Sequence, residues 1–411
     1  MTDTLKPRDA KDAEDAVRWA LDHDKTLEVV GTGSKRAIGR PSQSDVTLNL
    51  SAVAGVTLYE PDELVLSAKA GTPLAEIEAL VAAHGQELAF EPMDYGPLLG
   101  GAAGAGTMGG VIAANLSGPR RIKAGAARDH FLGVTAVSGR GETFKSGGRV
   151  VKNVTGYDLC KLLAGSWGTL AVMTDVTLKV LPRAETTQTV LLLGLDDASA
   201  VQAMSLAMGS SCDVSGAAHL PGPVAARMPL AAVAGAGGAI TALRLEGVAP
   251  SVAHRRNALE TLMKPFAALS HFDGADSVAL WRAVRVVVPF AASGADDDRP
   301  VWRVSAAPAR GAEIGSRIAT QAGADVLYDW AGGLIWIALP PSGDAGAAMV
   351  RGALAEGGGG HATLIRSPAA LRAAVDVFQP QESAVAALAK RVKDGFDPRG
   401  VLSSGRMWAG I

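Results

Sequence analysis

The sequence predicts a mixed protein of the α+β or α/β class, and three observations carry that prediction. Strand-like and helix-like segments alternate through the first 183 residues, a glycine-rich stretch interrupts them, and beyond it Ala-rich helical segments alternate with β-rich runs. At 411 residues and 48% apolar, the chain is long enough for two or three domains with cores of their own.

Asp9 caps a helix over residues 9–24, with Ala13, Ala16, Val17, Ala20 and Leu21 on one face. Residues 27–30 form a short strand that runs into Gly31-Thr32-Gly33-Ser34-Lys35, and residues 46–50 and 63–70 are the next strands. Thr72 as N-cap and Pro73 at the first helical position open a helix whose apolar face is Ile77, Leu80 and Val81, and Gly85 stops it. Residues 132–138 are β-rich and end in the turn Gly139-Arg140-Gly141, and residues 170–180 form another strand. Charge and proline at Leu181-Pro182-Arg183 end a first domain, 1–183. A second domain, 184–370, contains strands such as 189–193 and 334–339, with loops at 231–239 and 357–360. Residues 371–411 form a C-terminal unit: an amphipathic helix over 383–394, ended by Gly395, and a tail too rich in Gly, Pro and Ser to be helical.

Composition narrows the function. A formal net charge of −2 gives no field to attract nucleic acid or anionic lipid. The first residues hold no apolar run, so no secretory leader is expected. Cys160 and Cys212 form no paired motif, which fits a reducing cytosol and leaves too few thiolates for an iron–sulfur cluster. No closely spaced histidine pair offers a metal site. The longest uncharged stretch, 95–119, is long enough to span a membrane, but its glycines, Thr107, Asn115 and Ser117 indicate a buried loop around a ligand.

Three constellations could carry chemistry. Gly31 to Lys35 follows a strand directly, and its small residues let the backbone approach an anion. Arg36 stands where a dinucleotide fingerprint needs glycine, so by itself the turn reads equally as plain chain reversal. The second runs from Thr107-Met108-Gly109-Gly110 through Asn115, Ser117 and Gly118. It brings close-approach backbone, an amide and hydroxyls beside four cations, Arg120, Arg121, Lys123 and Arg128. A cofactor with a pyrophosphate and a polar ring needs that mixture; a solvated basic loop is the plainer alternative. The third is Thr155-Gly156-Tyr157-Asp158 followed by Gly165-Ser166-Trp167-Gly168-Thr169, where Ser166 and backbone amides could meet a ring's carbonyl edge. A capped helix with a surface acid is the alternative there.

The order of these segments resembles the VAO/PCMH flavoprotein family and, within it, the FAD-binding subunits of bacterial glycolate oxidases, relatives of the D-lactate dehydrogenases. Further words support the resemblance: Ser215 to Pro221, Leu243-Arg244-Leu245-Glu246-Gly247, Trp302-Arg303, Phe396-Asp397-Pro398 and Gly405-Arg406-Met407. The resemblance implies an α+β fold: a two-lobed PCMH-type FAD-binding domain followed by a second α+β cap or substrate domain. It implies FAD, and because none of the glycine motifs contains His or Cys, the flavin is expected to be non-covalent. Gly31, Thr32, Gly33, Ser34 and Lys35 would cradle the pyrophosphate, while Gly109, Gly110, Asn115, Ser117 and Gly118 would line the pyrophosphate and ring region. Thr155, Gly156, Asp158, Gly165, Thr169 and, through its backbone, Val172 would surround ring and ribitol, with Arg406 approaching from the tail. Should the flavin be covalently attached, His130 and Cys160 are the nearby positions to watch. The tail departs from the family pattern, with Ser403-Ser404 where Asn-Pro usually precedes Gly-Arg-Met.

Oxidising a 2-hydroxy acid needs a cation for the carboxylate, a base for the hydroxyl proton and a hydride acceptor. Arg244, Arg303 and Arg366 are the candidate cations, and His219 and His361 the candidate bases. The resemblance implies two partners, a larger FAD-containing catalytic subunit and an iron–sulfur subunit, in the cytoplasm or held at the inner membrane through them. A free-standing D-2-hydroxyacid (D-lactate) dehydrogenase and a non-catalytic electron-transfer subunit are the other readings.

Overall fold

The computed structural model describes residues 3–41, 43–149, 156–293 and 297–411. The chain has an α+β fold, and the first domain is built as two lobes. In the first lobe Asp3–Leu5, Val46–Asn49 and Leu27–Val30 form a parallel sheet in that order. Helix Ala10–Asp22 covers it; the Asp9 carboxylate accepts the Asp12 N–H at 2.9 Å, and Ala13, Val17 and Ala20 are buried. The second lobe is an antiparallel sheet ordered Val56–Glu60, Val65–Lys69, Ala171–Lys179, Phe131–Ser138 and Thr143–Gly147.

Two expected helix ends differ. Thr72 does not cap helix Leu74–Ala83; its hydroxyl instead ties Gly55 to Lys69, and Pro73 stands at the cap position with no side-chain bond. The C-terminal helix, Ser383–Phe396, runs through Gly395, which faces open space, and stops where Asp397 leaves helical geometry.

Eight antiparallel neighbours make the sheet of the second domain: Ala268–Asp273, Thr186–Leu193, Ile240–Gly247, Gly216–Leu220, Asp325–Asp329, Leu334–Ala338, Val301–Ser305 and His361–Arg366. Both faces are covered. Along Leu334–Ala338, Ile335 and Ile337 pack under helices Gly311–Ala322 and Ala347–Glu356, while Leu334, Trp336 and Ala338 join a core shared with Phe90, Tyr95 and Leu98 of the first domain. Ion pairs clasp the same interface. Fully buried Arg244 binds both Glu91 oxygens, at 2.7 and 3.0 Å, and Arg120 reaches Glu246 at 2.7 Å and Glu87 at 2.6 Å. Burial would raise the Glu91 carboxyl, yet Arg244 and Arg120 hold it down at about 2.

After helix Ser383–Phe396 the chain returns to the first lobe. The buried Lys393 ammonium donates to Thr169 O at 2.6 Å, Asp397 Oδ2 at 2.6 Å and Leu402 O at 2.9 Å, and Leu402 bridges to Leu27. This return fixes where Ser403 and Arg406 lie.

Candidate functional site

Two cavities meet at Ala114 and Trp167, which wall both. The first is a slot of about 80 Å³ between the lobes of the first domain. Strand Leu27–Val30 delivers the turn Gly31 to Lys35 to its rim. Gly31 lies against Thr107 so closely that a Cβ would overlap the threonine hydroxyl, and Gly33 turns the chain at φ +82°. The N–H groups of Thr32, Gly33, Ser34 and Lys35 find no acceptor among the described residues, so four successive donors stand ready for an anion. Across the slot, Thr107 caps the short helix Met108–Ala113. Gly109 brings that helix onto the neighbouring strand, since a Cβ would sit 2.7 Å from Ala70 Cβ. A Cβ on Gly110 would sit 3.3 Å from Lys35 Nζ, so glycine there leaves the ammonium its space.

Charge in the slot is incompletely paired. Among the described residues Lys35 Nζ bonds only Ser34 Oγ, at 3.2 Å, and burial pushes it down to about 8 against the pull of Asp94. Arg406 donates to Lys35 O at 2.9 Å and stacks over Trp167 at 5.4 Å, but its buried Nε has no partner among the described residues, and burial lowers it to about 10. Open amides with two under-compensated cations are a donor set for a pyrophosphate, and the FAD diphosphate fits it. Ser403 answers the departure in the tail: its hydroxyl accepts the Val29 N–H at 3.2 Å, so it anchors the tail to the strand feeding the turn.

The second cavity, about 1050 Å³, opens between the two domains. Asn115, Ser117, Gly165 and Arg121 line it from the first domain, and Arg303, Ser305, His361, Thr363 and Trp330 from the second. In the paired strands Val301–Ser305 and His361–Arg366, Arg303 stands opposite Thr363 and Ser305 opposite His361, which sets all of them on one sheet face.

Of the candidate catalytic groups, the structure therefore brings Arg303 and His361 together. The others are held elsewhere. Arg244 is the interdomain ion pair. Arg366 donates to Leu98 O at 2.9 Å, Phe290 O at 3.0 Å and Arg299 O at 3.0 Å, so it fastens loops. His219 is wholly buried between Thr241 Oγ1, at 2.8 Å, and Asp197 Oδ1, at 3.3 Å. The four cations of the glycine-rich loop also separate: Arg120 joins the interdomain cluster, Lys123 pairs with Asp213, Arg128 lies 3.8 Å from Asp129, and Arg121 alone among them has no acidic partner among the described residues.

Val172 turns its side chain into the core under helix Ala10–Asp22 while Ala171 and Met173 line the slot, which leaves its expected contact through the backbone open. Several other expected cofactor contacts lie away from the slot. Gly156 and Asp158 are exposed, with Asp158 paired to Lys161 at 3.3 Å, and Thr155 lies outside the described residues. Ser166 is turned to Leu163 O and Thr169 to Ser166 O, each at 2.8 Å, so both close their own turn. Gly118 lies behind the cavity wall, its carbonyl accepting Trp330 Nε1–H at 3.0 Å. His130 and Cys160 line neither cavity: His130 faces Ala124 O at 2.9 Å, and burial pushes the Cys160 thiol up to about 11. Among the lining residues that the sequence did not mark are Trp167 and Trp330; glycines flank Trp167, but nothing local marks Trp330.

Residues 4–147 match the FAD binding domain family. The chain is 42% identical over 167 residues to glycolate oxidase subunit GlcE of Escherichia coli (strain K12), covering 41% of this chain and 45% of that protein. It is 39% identical over 99 residues to glycolate oxidase subunit GlcD of Bacillus subtilis (strain 168), covering 24% and 21%. It is 29% identical over 180 residues to a D-lactate dehydrogenase of Archaeoglobus fulgidus, covering 44% and 38%. The matches thus span less than half the length of these curated relatives. Among solved structures, p-cresol methylhydroxylase superposes with a TM-score of 0.74 at 13% identity, over 99% of this chain and 88% of that one, a likeness of fold.

Proposed function

We propose that this chain, which carries an FAD binding domain over residues 4–147, is the FAD-bearing subunit of a heteromeric glycolate oxidase that converts a small 2-hydroxy acid to its 2-oxo acid. One observation carries the reading: a pyrophosphate cradle with open amides, Lys35 and Arg406 leads past Ala114 and Trp167 into a cation-lined cavity of about 1050 Å³. FAD, when bound, supplies the hydride acceptor. The chain's own residues do the rest. Gly31 to Lys35 and Arg406 hold the diphosphate, Gly109 and Gly110 keep the slot open, and Asn115 and Gly165 border the ring region. His361 faces the cavity and is the candidate to take the hydroxyl proton, with the Glu382 carboxylate on the same wall. No covalent link to FAD is part of this reading, which the placement of His130 and Cys160 supports.

Likeness to subunits named GlcE and GlcD supports a larger flavoprotein partner, and an iron–sulfur subunit completes the proposed complex. We place the chain in the cytoplasm or, through those partners, at the inner membrane; among the described residues no helix is long and apolar enough to cross a membrane. Purification of the tagged chain tests the proposal. Stoichiometric FAD, released into the supernatant by acid, and co-purification of the other two subunits are expected. A colourless chain that FAD does not reconstitute would contradict it.

A further inference from the structure

We propose that Arg121 and Arg303, stacked on the one indole of Trp330, form the seat for the carboxylate of a small 2-hydroxy monocarboxylate in the interdomain cavity. The inference rests on the proposed 2-hydroxy-acid activity and names the groups that select its substrate. The guanidinium of Arg121 lies 4.3 Å from the Trp330 ring centroid and that of Arg303 5.0 Å, and both residues line the cavity. Neither has an acidic partner among the described residues, although Arg120, Lys123, Arg128 and Arg244 close by all do. Two like charges held together with no carboxylate in salt-bridge reach among the described residues are costly, since Asp129 and Asp329 act on them only from farther off; the indole face offsets part of that cost, and an incoming carboxylate would offset more.

Trp330 is built for this place. Trp330 and Ala331 both adopt left-handed backbone, at φ +51° and +56°, before Gly332 at +95°, a conformation that side chains with a Cβ resist. The Asp329 carboxylate fixes the turn by accepting the Trp330 N–H at 2.7 Å. The indole Nε1–H then crosses the domain interface to Gly118 O at 3.0 Å. The strained turn thus sets the aromatic platform between an arginine from each domain. Arginine suits the task because its planar fork meets both carboxylate oxygens. Ser305 and His361 follow Arg303 along the same sheet face, so a hydroxyl on the adjacent carbon falls towards them.

Isothermal titration of the FAD-loaded full chain with glycolate, and with glycolamide as an uncharged isostere, tests the seat. The wild type is expected to bind glycolate and to reject glycolamide. Arg121→Gln and Arg303→Gln should each weaken glycolate binding roughly tenfold, and the double variant roughly a hundredfold, with the visible flavin spectrum and Tm retained. Arg303→Lys, which keeps charge but loses the fork, should fall between. Glycolate binding that the double variant leaves unchanged, equal affinity for glycolamide, or no binding by the wild type would overturn the seat. Arginine-dependent binding with a flavin that glycolate never reduces would uphold the seat and overturn the oxidase reading. Flavin reduction undiminished in the double variant would do the reverse.

Discussion

Replacing Lys35 by methionine sets two properties of the protein against each other. In the apoprotein the ammonium has Ser34 Oγ as its one hydrogen-bond partner among the described residues, and burial depresses it from 10.5 to about 8. Because the folded pKa lies below the unfolded one, the unfolded chain binds more protons between those values, and apoprotein stability rises as pH climbs from about 8 towards 10.5. Allowing for the part of the side chain that water still reaches, the penalty near neutral pH is on the order of 1–2 kcal/mol. Methionine removes it, so the apoprotein melts higher. FAD binding moves the other way: a charge-assisted bond to a phosphate oxygen contributes about 1.5–3 kcal/mol, so Lys35→Met weakens FAD roughly 10- to 100-fold. The wild type shows the same coupling in its pH dependence. An anion at Lys35 restores its ordinary pKa, so binding takes up a proton, and affinity falls by up to about tenfold per pH unit above 8. Apoprotein thermal melts, with FAD titration followed by fluorescence quenching at pH 7 and 9, measure both. A Lys35→Met apoprotein that is less stable, or that binds FAD as the wild type does, refutes the placement of the pyrophosphate.

Three other perturbations have defined outcomes. Gly109→Ala drives a Cβ to 2.7 Å from Ala70 Cβ and 2.9 Å from Ala70 O, and is expected to cost about 1–3 kcal/mol in urea unfolding and to lower flavin content. Glu91→Gln leaves Glu246, at 3.3 Å, as the remaining carboxylate beside Arg244 in the interdomain core, with a loss of about 1–3 kcal/mol. Because Glu91 is depressed to about 2, its wild-type contribution is present above the ordinary carboxyl range near 4.5 and lost as pH falls towards 2; acid titration of the variant should lack that component. Lys393→Met leaves Asp397 buried with only the Val401 and Leu402 N–H donors, and should loosen the tail that carries Arg406; faster proteolysis after residue 397 and weaker FAD binding would show it.

What could be read from the sequence was local. Gly31 to Lys35 and Gly109-Gly110 announce themselves because close approach demands glycine at fixed offsets from a strand end or a helix start. The strand after Thr169 is equally plain, but not which of its side chains face the slot. With both sheet faces buried, the alternation that would separate Val172 from Ala171 and Met173 carries no polarity signal. The arginines show the larger difficulty. Arg244, Arg303 and Arg366 look alike in sequence, and only partners far along the chain, Glu91 for one and Leu98 O and Phe290 O for another, remove two of them from the cavity. Arg121 and Trp330 meet across the domain interface, a pairing that no periodicity encodes. Thr72 does not cap because its hydroxyl oxygen accepts the Gly55 N–H while its O–H donates to Lys69 O.

Anaerobic mixing of the FAD-loaded protein with glycolate, followed at the oxidised flavin band, decides whether the cavity oxidises a 2-hydroxy acid. Bleaching by glycolate is expected, and Arg121→Gln/Arg303→Gln should abolish it at the same substrate concentration. A flavin that stays oxidised with glycolate, both in the isolated chain and in the assembled complex, would contradict the oxidase reading.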